Sequence, residues 1–143
     1  MKKGFTLQEM LLVIALMAIM AVISVPIYQS FQVKNDVDLV VNAVASTARR
    51  AQVLSQGSSE DSSWGIKLTS TAVILFKGAA YAARDVNFDE TFDVPVTITG
   101  SGTTEFVFAK FTGFPLAAGT ATLTTSTNEI RNIAINSYGT VSY

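Results

Sequence analysis

Residues 5–25 read FTLQEMLLVIALMAIMAVISV, and the reading of that stretch decides the fold. Its 21 residues would extend about 31 Å as a helix, at roughly 1.5 Å per residue. The hydrocarbon core of a bilayer is about 30 Å thick. No formal charge occurs in the 24 residues from 10 to 33, and only Ser24 interrupts the Met, Leu, Val, Ile and Ala of residues 10–25. Lys2 and Lys3 stand in front, so the positive-inside rule puts the N-terminus in the cytoplasm and the rest outside. The physical reading is one span, N-in and C-out.

A cleaved secretory signal competes with that reading. It needs a basic start, an apolar stretch of ~7–15 residues and a small-residue cleavage site, and Val22-Ile23-Ser24 would serve weakly. Glu9 counts against it, because a carboxylate is expensive at the entrance of an apolar run. So does the chain beyond Pro26, where a helical pattern continues instead of breaking into a new domain. Val37, Val41, Val44, Ala48 and Ala51 recur at helical spacing, and Val40 and Leu54 widen the stripe. Lys34, Asn35, Asp38, Asn42, Ser46, Arg49 and Gln52 fall on the opposite face. Pro26 removes one backbone donor, so it should bend the helix without ending it. Gly57 is the expected stop, as a residue tolerating positive φ. Arg49 and Arg50 near that end suit the helix dipole. One helix over residues 5–56 is expected, half membrane anchor and half packing spine.

The rest of the chain is read as a β-rich head. Residues 57–63 are Ser-rich and form a connecting loop. Trp64, Ile66 and Leu68 alternate with Gly65 and Lys67 before the run Val73-Ile74-Leu75-Phe76, a hairpin signal. Further strands are expected at 92–99, 105–110, 120–125, 130–136 and 140–143. Turns at Ser126-Thr127-Asn128 and Ser137-Tyr138-Gly139 suggest two consecutive hairpins at the C-terminus. An antiparallel sheet would then present one face to the helix stripe. The expected class is α+β: a long N-terminal α-helix packed on an antiparallel β head.

Composition narrows the chemistry. The 143 residues include no cysteine and no histidine, with a formal net charge of −1. Disulfide frameworks, Ser-His-Asp triads, Cys-His nucleophiles and ordinary structural zinc are excluded. Only 15% of residues are charged while 49% are hydrophobic, which the apolar stretch explains. No constellation supports an enzyme.

Lys3-Gly4-Phe5-Thr6-Leu7-Gln8-Glu9, followed at once by Met10-Leu11-Leu12-Val13-Ile14-Ala15, resembles the leader junction of type IV pilins and pseudopilins. The resemblance implies that residues 1–4 are a leader peptide, cut between Gly4 and Phe5 by a membrane-embedded prepilin peptidase that also methylates the amine of Phe5. It implies that Glu9 is the family's buried glutamate, used in assembly, and that Pro26 is its helix-bending proline. Removing residues 1–4 takes away Lys2 and Lys3, which hold the helix at the cytoplasmic face, and moves the formal balance from −1 to −3 before the new amine is counted. Glu9 is then costly alone in apolar surroundings. A neighbouring subunit's amino-terminal Phe5 is a suitable cation for it; a carboxylate snorkelling to the headgroups is the alternative.

A second resemblance is scattered over the head. Ala48-Arg49-Arg50-Ala51-Gln52, Trp64-Gly65, the Phe111-Thr112-Gly113-Phe114-Pro115 turn and the closing Ile133…Gly139-Thr140-Val141 look like H-type minor pseudopilins and FimT-like minor pilins. Together the resemblances imply a leader at 1–4, a transmembrane half-helix at 5–25, an amphipathic half at 26–56 and a head at 57–143. The implied function is a structural subunit, in the minor class, of a type IV pilus-like or type II secretion filament. Its partners would be the peptidase and methyltransferase, other pilin or pseudopilin subunits and an inner-membrane assembly platform. Its location would be the bacterial inner membrane, single-pass, and then an extracytoplasmic filament. A membrane-tethered binding domain, or a DNA-uptake minor pilin whose head recognises a ligand, is the alternative.

Four further features invite a functional reading. Asp85, Asp89, Glu90 and Asp93 cluster in what reads as a loop; calcium takes several oxygens close in sequence, but no Asp-x-Asp-x-Asp-Gly pattern is present. Solvated loop charge is the preferred reading, and no cofactor is expected. Gly100-Ser101-Gly102 reads as a flexible turn. The cations Lys67, Lys77, Arg84, Lys110 and Arg131, with Arg49 and Arg50, are scattered and outnumbered by acids, which argues against nucleic acid. Trp64 reads as core closure in preference to a ligand platform.

Overall fold

The computed structural model describes residues 4–143, with side chains except those of residues 23–27, 29 and 30. Met1, Lys2 and Lys3, three of the four expected leader residues, lie outside the described residues. Helix α1 spans Leu7–Gln56, 50 residues. It runs through position 26, but the side chain of Pro26, the expected bend, lies outside those described. Among the described residues no helix is long and apolar enough to cross a membrane; the expected span at 5–25 includes positions 23–25, whose side chains are among those not described.

The C-terminal half of α1 packs by its apolar stripe. Val37, Ala48 and Ala51 are wholly buried, Val40, Val41, Val44 and Ala45 nearly so, and Leu54 is partly covered. Lys34, Asn35, Asp38, Asn42, Ser46 and Arg49 stay exposed. The helix stops where expected, for a different reason. Gly57 keeps right-handed angles (φ −73°, ψ 0°) and Ser58 takes the left-handed conformation at φ 49°. The Gly57 N–H donates to the Val53 carbonyl at 2.9 Å, so the glycine's freedom is not used.

Two antiparallel four-stranded sheets cover the helix, where a single sheet face was expected. The strands are β1 (Trp64–Leu68), β2 (Ala72–Lys77), β3 (Asp85–Asp93), β4 (Ile98–Gly102), β5 (Glu105–Phe108), β6 (Gly119–Thr125), β7 (Ile130–Ile135) and β8 (Val141–Ser142). The first sheet has the order β3-β2-β1-β5, the second β4-β6-β7-β8. The β1–β2 hairpin pairs Ile66 with Leu75, and β6–β7 pairs Ala121 with Ile133. Phe76, Phe108, Ile66, Leu75, Ile98, Leu123, Ile133 and Ile135 fill the core of the head.

Three expectations about the head are corrected. The acidic stretch 85–93 is the edge strand β3, not a loop. An edge strand pairs on one side only, so its backbone bonds to β2 while Asp85, Glu90 and Asp93 keep contact with water; Asp89 is largely covered. The strand expected over 92–99 is two strand ends and a turn: β3 stops at Asp93, Pro95 lacks a donor for a ladder, and the Ile98 N–H closes the turn on the Pro95 carbonyl at 3.0 Å. Gly100-Ser101-Gly102 is not a turn but part of β4, where Gly100 pairs with Leu123.

Candidate functional site

Two places carry the functional reading: the start of α1 and the junction where α1 meets the head. At the start, Gly4, Phe5 and Thr6 precede the helix, and Phe5 is 81% exposed. A Cβ built on Gly4 would meet nothing within 4 Å. The scissile bond implied by the resemblance therefore lies in open, non-helical chain. Thr6 is the N-cap, in an extended conformation. The Glu9 N–H donates to Thr6 Oγ1 at 3.3 Å, and the Thr6 N–H donates to Glu9 Oε2 at 2.8 Å. The Thr6 hydroxyl donates to the same oxygen, also at 2.8 Å. This reciprocal box satisfies two donors that a helix N-terminus otherwise leaves unpaired. Glu9 is thus held by its own chain through hydrogen bonds, a role the sequence reading missed. The signal was present as Thr6-x-x-Glu9, a spacing known to cap helices.

Beyond the box, residues 10–22 of the helix are apolar on every side, and the described residues leave them exposed. Leu7, Met10, Leu11, Leu12, Ile14, Leu16, Met17, Ile19, Met20 and Val22 are all more than half exposed. A helix apolar all round is one that something else buries.

The second place begins at Ser55, fully buried on the last turn of α1. Its hydroxyl accepts from the Trp64 N–H at 2.9 Å, and its carbonyl accepts from the Phe111 N–H at 2.9 Å. Trp64 is 5% exposed, donates its indole N–H to the Ser59 carbonyl at 3.1 Å and meets Phe88 edge-on at 6.1 Å. It closes the core. Gln52 donates to the Tyr138 carbonyl at 3.1 Å and Gln56 to the Thr112 carbonyl at 3.5 Å. Each side chain lies against a left-handed glycine, Gly139 (φ 81°) and Gly113 (φ 64°), where a Cβ would come within 2.3 Å of Gln52 Nε2 and of Gln56 Cγ. The head motifs of the second resemblance therefore converge on the final turns of one helix.

Ion pairs surround that junction. Arg50 bonds Glu90 of β3 at 2.6 Å, and Arg131 of β7 reaches Glu129 at 2.7 Å and Asp38 of α1 at 3.8 Å. Arg84 bonds Asp89 at 2.7 Å, and that hydrogen bond raises the guanidinium's pKa. Lys67 pairs with Glu105, Lys77 with Glu60 and Lys110 with Asp61. The hydrogen bond from Lys110, and then its charge, hold the exposed Asp61 carboxyl below its usual range. Of the cations considered for nucleic acid, all but Arg49 thus face a carboxylate. Three of the four acids considered for calcium are engaged, Asp85 accepting from Asn87, Asp89 from Arg84 and Glu90 from Arg50, while Asp93 makes no ion pair among the described residues. Among the described residues no three His, Cys, Asp or Glu side chains converge as a metal site.

Fold and site together define a class, an α+β head carried on a helix whose protruding half is apolar on every side. The chain is similar to two fimbrial proteins of Pseudomonas aeruginosa, each 26% identical over 105 residues, which is 68% of this chain and 68% of that protein. No family model matches the chain, and no solved structure matches it.

Proposed function

We propose that this chain is a structural, non-enzymatic pilin-type subunit of a bacterial filament. The observation that carries the reading is the contrast within α1: an apolar, uncovered first half is continuous with a second half buried in the head. Lipid first covers the uncovered half, and neighbouring helices cover it in the filament. Lipid tails are about as apolar as Leu, so that exchange has little hydrophobic driving force. An external assembly platform supplies the work. The likeness to fimbrial proteins supports the same reading.

The finer proposals follow the leader resemblance. A prepilin peptidase cuts between Gly4 and Phe5 and methylates Phe5, the subunit waits in the inner membrane with its head outside, and Glu9 then meets the amine of a neighbour's Phe5. Capping does not use up this carboxylate, since its second oxygen, Oε1, takes no part in the box. The pairing of the head's cations with acids weighs against the DNA-uptake alternative.

Intact-mass spectrometry of membrane-extracted protein, with recovery in sheared filaments, tests this. Loss of residues 1–4 with one added methyl is expected; an uncut chain in cells with active peptidase overturns the processing. Glu9→Gln retains a side-chain oxygen for the Thr6 N–H but no charge. It should be cut normally yet fall about tenfold or more in sheared filaments, as Glu9→Ala should. Full recovery of Glu9→Gln alone would assign Glu9 to capping.

A further inference from the structure

The flank of α1 beside β3 carries a feature unused so far. A groove of about 280 Å³ lies between the middle of the helix and the β3–β4 corner, floored by Leu39, Ala43, Phe92 and Pro95 and edged by Asp36 and Asp93. Its floor is open, with Leu39 67% and Phe92 39% exposed. Neither Asp36 nor Asp93 makes an ion pair among the described residues, although most of the head's acids do.

The complement sits on the same helix. Arg49 is exposed and pairs with no carboxylate among the described residues, while its neighbour Arg50 is bound to Glu90. Val53 follows Arg49 by four residues, on the same face, and is 64% exposed. Arg49 lies six residues beyond Ala43, which places it about 120° round the axis and about 9 Å further along. Val53 lies 14 residues beyond Leu39, about 40° round the axis and about 21 Å further along, so groove and knob cannot meet within one chain.

We propose that the groove receives the Arg49–Val53 edge of a second copy, with Val53 entering the apolar floor and Arg49 set between Asp36 and Asp93. Because the two patches differ and lie at different heights on the helix, the contact between parallel copies is heterologous. Every copy that fills one groove offers its own knob to the next, and such a contact builds an open filament wherever its rotation does not close a ring. This deepens the filament reading and rests on it.

The absence of cysteine makes the test clean. The full chain carrying Leu39→Cys and Val53→Cys is expressed in cells that assemble the filament, oxidised and run without reductant. The two positions, 14 residues apart on one helix, are about 21 Å apart, beyond the roughly 7 Å that a disulfide spans between Cα atoms. An intramolecular bond is thus excluded. A ladder of dimer, trimer and larger species is expected, with either single cysteine variant staying monomeric. Adding Arg49→Glu should weaken the ladder about fivefold or more, and adding Asp36→Lys and Asp93→Lys to that variant should restore it. Recovery in sheared filaments without a ladder overturns the groove contact and leaves the filament reading standing. A ladder in membranes with no filament supports the contact and overturns the filament reading. Absence of both overturns both.

Discussion

The two halves of α1 share a backbone conformation and little else. In the first, Leu7 is 80% exposed and Met20 71%; in the second, Val37 and Ala48 are wholly buried. The first half is almost pure Met, Leu, Ile, Val and Ala, and its organised polar contact is the Thr6–Glu9 box. The second mixes small apolar residues with charge at helical spacing. Amphipathic patterning specifies a partner inside the same chain, because one stripe can face only one surface. Uniform apolarity specifies a surrounding, and leaves open whether that is lipid or other helices.

Separating the halves gives the largest expected effect. A chain lacking residues 1–30 should be soluble without detergent and should retain mixed helix and strand in circular dichroism. An unfolded product would make the first half necessary to the head and erase the contrast. The next test places one type of change in each half of the full chain in detergent. Leu123→Ala empties a wholly buried site and should cost about 2–5 kcal/mol in head unfolding by denaturant. Leu16→Ala should cost under about 0.5 kcal/mol. Equal costs would contradict separate roles.

A smaller effect probes the hinge between helix and head. Ser55→Ala leaves the buried Trp64 N–H without its side-chain acceptor and should cost about 1–2 kcal/mol. The smallest concerns Asp61. Its carboxyl pKa is lowered in the folded chain by Lys110, so the pair's contribution is fully present above the unfolded carboxylate value. It is lost as pH falls through the lower folded value. Asp61→Asn should therefore flatten the acid side of a melting-temperature profile slightly and leave neutral pH nearly unchanged.

Legibility followed the same division. The stripe from Val37 to Ala51 was readable because helical burial repeats with a period of 3.6, and the β1–β2 and C-terminal hairpins because alternation and turn residues are local signals. Strand β3 was not readable. Asp85, Asp89, Glu90 and Asp93 look like loop residues until Arg84 and Arg50 are placed beside them, and Arg50 is 40 positions away. Strand β4 hid behind Gly100-Ser101-Gly102 for the same reason, since its only ladder partner, β6, is distant in sequence. At the start of α1 the residues were visible but their hydrogen bonds were read past: the apolar run drew attention to the cost of Glu9, and away from its distance to Thr6.

The buried stripe of α1 also sets how the molecule bears load. From Val37 to Ser55 it runs about 27 Å along the axis, and tension entering along the helix and leaving sideways through the head must slide those side chains together, in shear. Tension leaving through the C-terminus meets β8 instead, two residues long and paired only with β7, which can be peeled one bond at a time. A subunit pulled along its helix should hold to a higher force than one pulled by Tyr143, which single-molecule extension from the two attachment points would measure. The head is thus strong in the direction in which a filament stretches and weak at its chain end.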